Sequence, residues 1–76
     1  MKKAINLVLL RRLIKEGGWK TEGFANEIGI TRATLSAILN GHRLPGYMIM
    51  KEIYRALKLT PQQADVLFFN SDLHLT

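Results

Sequence analysis

Apolar residues recur along the chain at intervals of three and four, and strand-like alternation is absent. In the first third, Ile5, Leu9, Leu10, Leu13 and Ile14 make one helical face, the periodicity of an amphipathic helix. The pattern predicts helices over residues 4–16, 21–28, 32–40, 47–57 and 61–69, followed by a tail at 70–76. Each predicted end has a chemical reason. Gly17–Gly18 stops the first helix, because glycine accepts the left-handed backbone of a C-cap. The second starts at Lys20 or Thr21, with Thr21 the candidate N-cap, and it breaks at Gly29. Thr31 caps the third, which Asn40–Gly41 ends. Pro45 lies in the loop before the fourth helix. Thr60–Pro61 reads as an N-cap followed by a proline at the first helical position.

The expected core follows from the same spacing. Phe24, Ala25 and Ile28 line the second helix, and Leu35, Ile38 and Leu39 the third. Ile49, Met50, Ile53 and Leu57 line the fourth, and Ala64, Leu67 and Phe68 the fifth. Trp19 is expected to pack back on this core. Phe68 and Phe69 are adjacent, so one faces inward and the other is available to a second subunit. In the tail, Leu73 and Leu75 alternate with polar residues, which fits an edge strand or a dimer contact. Phe68, Phe69 and Leu73 are the candidate dimer residues. The fold class expected is therefore all-α, with five short helices.

Composition narrows the function. Of the 76 residues, 47% are hydrophobic and 22% charged, the balance of a globular domain with a packed core. One domain of this length leaves no room for a ligand-sensing domain or a deep substrate cavity. Cysteine is absent, which removes disulfides, thiol chemistry and cysteine-ligated zinc. His42 and His74 are far apart and belong to no metal-ligand motif. Paired carboxylates in one motif and a glycine-rich phosphate loop are also missing, so an enzyme is not expected. Neither a cofactor nor a small-molecule ligand is expected.

The formal net charge is +5, and residues 1–15 carry Lys2, Lys3, Arg11, Arg12 and Lys15 with no acid. Such a domain suits a polyanionic partner. Of these, Lys2, Lys3, Arg11 and Arg12 either flank a nucleic-acid backbone or form a solvated helix face. The apolar run before Arg11 is too short for a secretion signal or a membrane span. A cytoplasmic protein without a membrane partner is expected.

Residues 21–39 carry the functional signal. Two short helices meet at Gly29, which supplies the positive φ of the corner. Ala25 is small where the helices cross. Phe24, Ile28, Ile30, Leu35 and Ile38 seal them together. This leaves Arg32, Ala33, Thr34, Ser36 and Ala37 as a short polar face without acid, sized for a major groove about 12 Å wide. The third helix also starts with unpaired N–H groups suited to phosphate.

The stretch TEGFANEIGITRATLSAILNGHRLP, and IYRALKLTP after it, resembles the Cro/lambda-repressor-like (XRE) helix-turn-helix family over residues 10–57. The combination FAxEIGIT, TLSxILNG and RxP is fairly specific, although each piece alone is weak. The best likeness is to small phage-type repressors and Cro-like regulators. The resemblance implies a prokaryotic, nucleoid-associated transcription regulator, a repressor that binds a double-stranded DNA operator as a homodimer. It implies base contacts from Arg32, Ala33, Ser36 and Ala37. It implies phosphate contacts from Lys20, Thr21, Thr34, Asn40 and Arg43. For Lys20 and Arg43 the alternative is a solvated charge, and for Asn40 a C-cap. A protein-interaction module, such as an antirepressor or antitoxin component, is the competing function.

The chain departs from the family pattern in three places. Thr21 stands where the family usually has Gln, losing a bidentate amide. Ile14 and Leu39 occupy positions where many members bury an Arg–Glu pair, so an aliphatic contact is expected instead. Gly23 lies inside the second helix at a cost of ~1 kcal/mol relative to Ala. Tyr47 either reaches a phosphate from the start of the fourth helix or packs on its neighbouring loop, the favoured reading, and Met48 and Met50 are expected to fill core or interface.

Overall fold

A computed structural model describes residues 5–69, which form five α-helices and no strand. They are α1 (Leu7–Glu16), α2 (Thr21–Ile28), α3 (Arg32–Leu39), α4 (Tyr47–Leu57) and α5 (Pro61–Phe69). The all-α expectation is met. The expected tail at 70–76, with Leu73, lies outside the described residues, as do Lys2 and Lys3.

Helix ends follow side-chain chemistry closely. α1 begins at Leu7 rather than at residue 4, because the Asn6 side chain accepts the Leu9 N–H at 3.0 Å and caps it. The Asn6 N–H in turn donates to the Leu67 carbonyl at 2.7 Å, which ties the start of α1 to α5. Ile5 is buried but precedes the helix. Thr21 is not the cap of α2: it is the first helical residue, and Lys20 occupies the N-cap position without a side-chain bond. α3 ends at Leu39, with Asn40 the C-cap residue. α5 opens with a reciprocal box: Thr60 Oγ1 accepts the Gln63 N–H at 3.0 Å, and Gln63 Oε1 accepts the Thr60 N–H at 2.9 Å. Two of that helix's otherwise orphaned donors are thereby paired. α4 ends differently from α2, with Lys58 at φ 54° taking the left-handed position that glycine takes after α2.

The core sits where the five apolar faces converge. Leu10, Phe24, Leu35, Ile38, Ile53 and Leu67 are fully buried there, and among the described residues no polar side chain is buried with them. α2 packs on α3 and α4, while α1 packs on α3 and α5. Ala25 is fully buried, as its place at the α2–α3 corner requires. Half-buried Trp19 meets Phe24 edge-on, with ring centroids 5.5 Å apart, a favourable aromatic geometry. Ile14 and Leu39 are both buried in this same core, so neither side chain points to solvent. The corner itself is Gly29 at φ 84°, and the Ile30 N–H donates back to the Ala25 carbonyl at 3.0 Å.

Candidate nucleic-acid interface

α3 has one face in the core and one outside. Leu35, Ile38 and Leu39 are buried. Arg32 and Ala33 are exposed, and Thr34, Ser36 and Ala37 are half-buried. Thr31, Arg32 and Ala33 leave the start of the helix exposed among the described residues. Its backbone is organised by Thr31, whose Oγ1 accepts the Thr34 N–H at 3.0 Å and donates to Thr34 Oγ1 at 2.9 Å. The first turn of α3 contains no acid, whereas that of α2 contains Glu22. Glu22 offsets the positive end of the α2 dipole, so α3 presents the helix start more favourable to an anion.

Lys20, Asn40 and Arg43 are exposed and Thr21 is half-buried. Arg32, Lys20 and Arg43 make no ion pair among the described residues. Asn40 is already engaged within the subunit, its Oδ1 accepting from Arg11 Nη2 at 2.9 Å.

Two arginines brace the motif from outside, and periodicity gave no sign of either contact. Arg11, on α1, donates through Nη2 to the Leu39 carbonyl at 2.8 Å as well as to Asn40. It therefore caps the C-terminal end of α3, where carbonyls lack helical partners and a cation is favoured. Arg55, on α4, does the same for α2: Nη1 lies 3.1 Å from Glu27 Oε2, and Nη2 donates to the Glu27 carbonyl at 3.1 Å. Arg55 Nε also meets Glu52 Oε1 at 2.8 Å. Bonding to Glu52 first, then to Glu27, raises the pKa of the Arg55 guanidinium. The free outer face of α3 thus belongs to a helix pair clamped from both sides.

The sequence model of a family described as a helix-turn-helix domain matches residues 9–67. The chain belongs to the helix-turn-helix domain family. This agrees with the resemblance to Cro/lambda-repressor-like regulators, and a DNA-binding regulator is the role the match supports. No curated protein and no solved structure matches the chain. The matched segment takes in all of α2, α3 and α4, so the helix-turn-helix and both bracing arginines lie inside it.

Away from the α3 ridge, Phe68 is buried in the core, as its spacing predicted, and reaches the surface only as part of the groove between α4 and α5, while Phe69 beside it is 56% exposed. Tyr47 does not pack on its loop but is 71% exposed. Of the two methionines expected to fill core or interface, Met50 is half-buried against the core and Met48 is exposed. Tyr47, Met50, Lys51, Tyr54, Phe68 and Phe69 line an open, mainly apolar groove of about 310 Å³ between α4 and α5. No described helix is long and apolar enough to cross a membrane.

Proposed function

We propose that this helix-turn-helix protein is a sequence-specific transcription regulator of the cytoplasm, a repressor that binds a palindromic operator in double-stranded DNA as a homodimer. The observation carrying this reading is the exposed, acid-free start of α3 with an unpaired Arg32. Arg32 at the tip can donate two hydrogen bonds to guanine O6 and N7, worth ~1–3 kcal/mol of discrimination. Ala33 and Ala37 offer methyl groups to thymine, and Ser36 a hydroxyl to a base edge. Lys20, Thr21, Thr34, Asn40 and Arg43 surround that ridge in the role of phosphate contacts, which set register without reading sequence.

One such helix makes few contacts, and a symmetric pair doubles them across half-sites about 34–36 Å apart. The α4–α5 face supports the dimer: Phe69 stands exposed at the rim of the apolar groove, with exposed Tyr47 and Tyr54 along its wall. Repression is then steric, the dimer occupying DNA that polymerase needs.

Selection of binding sites from random duplexes by the purified protein tests the reading, and a palindromic consensus is the expected result. Arg32→Ala should relax preference at one base pair in each half-site. Arg43→Ala should weaken all sites alike and lower the salt slope by about one. Absence of any salt-dependent duplex binding would overturn the proposal in favour of a protein partner.

A further inference from the structure

Arg11 takes no part in the contact set above, yet it holds both the last helical carbonyl of α3 and the side chain that follows it. A guanidinium has donors only. The Asn40 amide must therefore turn its oxygen toward Arg11, which leaves Nδ2 facing outward from an exposed residue. A phosphate accepts hydrogen bonds and donates none, so this orientation is the one that recognises it. We propose that Arg11 is a positioning residue for DNA binding: it fixes the polarity of Asn40 and seats the C-terminal end of the recognition helix on α1, without itself pairing with phosphate. The inference rests on the DNA-binding reading.

The geometry favours positioning over direct contact. Arg11 Nη2 serves two acceptors within the subunit, at 2.8 and 2.9 Å. Turning Nη2 to a phosphate would forfeit both bonds and leave the Leu39 carbonyl without its cap; a phosphate could be met only by Nη1 or Nε, which the salt slope below reads. Because Ile14 and Leu39 are apolar, this bond supplies a polar tie between α1 and α3 beside an aliphatic contact region.

A double-mutant cycle with Arg11→Ala and Asn40→Ala, read as affinity for a random duplex, decides the matter at a temperature where all variants show wild-type circular dichroism. Releasing one immobilised side chain corresponds to roughly a two- to tenfold loss. Each single variant should lose that much, and the double variant should lose clearly less than the two single losses combined. The Arg11→Ala salt slope should match wild type. Additive losses, or a slope reduced by about 0.9, would make Arg11 a phosphate contact and overturn the proposal. If Arg11→Ala does not fold, Arg11→Lys, with a single point donor on a shorter stem, carries the same cycle. In the DNA-free protein, the Asn40 side-chain amide resonances should shift on Arg11 substitution; unchanged resonances also overturn it. Wild-type protein that binds no duplex would refute the DNA reading, while those resonances still test the latch.

Discussion

Arg55 bonds both the carboxylate and the main-chain carbonyl of Glu27, at 3.1 Å each, and so joins α4 to the end of α2. The pair is surface-exposed, and its Coulomb part is screened. What distinguishes it is the carbonyl bond, which needs a forked donor. Thermal midpoints should therefore fall in the order wild type, Arg55→Lys, Arg55→Ala. The raised guanidinium pKa gives the pH sign. Stabilisation from the arginine is complete below its unfolded pKa and is lost only as pH climbs through the higher folded one. The gap between wild type and Arg55→Ala should thus stay constant from neutral to mildly alkaline pH in thermal melts.

Gly23 and Gly29 should respond to alanine with opposite signs. A Cβ at Gly23 would meet nothing within 4 Å, and its backbone is helical. Gly23→Ala should stabilise the fold by about 1 kcal/mol. Gly29 holds φ 84°, where a side chain is strained, so Gly29→Ala should cost about 1–2 kcal/mol. Urea unfolding measures both. If Gly23→Ala folds more stably yet binds DNA less well, the missing side chain marks a close approach by the duplex.

Thr31 links local structure to the recognition surface. Thr31→Ala removes the bond to the Thr34 N–H and frees the Thr34 hydroxyl. The expected stability loss is about 1 kcal/mol. Thr31→Ser retains the oxygen and should recover most of it in the same unfolding titration.

The adjacent phenylalanines separate folding from assembly. Phe68→Ala removes a core ring that is 8% exposed and should cost about 3–5 kcal/mol. Phe69→Ala should leave monomer stability within about 0.5 kcal/mol, while weakening self-association in sedimentation equilibrium. A Phe69 variant that dimerises like wild type would move the proposed interface off the α4–α5 face.

The helices, the corner and the outward face of α3 were determined by the sequence itself, because each depends on neighbours three or four residues away. Thr31 capping α3, Thr60 boxing with Gln63, Gly29 turning the chain, and Leu35 with Ile38 opposing Arg32 are all such short-range relations. At Lys20 against Thr21 only the cap residue differed and the helix kept its bounds, whereas the start of α1 moved from residue 4 to Leu7. Only the tertiary structure decided what happens between helices. Arg11 reaches Leu39 across 28 residues, and Arg55 reaches Glu27 across the same separation. A charged residue on a helix reads as solvated until a distant carbonyl is placed beside it. Exposure of Tyr47 depends likewise on how α4 meets the core. Periodicity describes a helix face, but packing selects which part of it is covered.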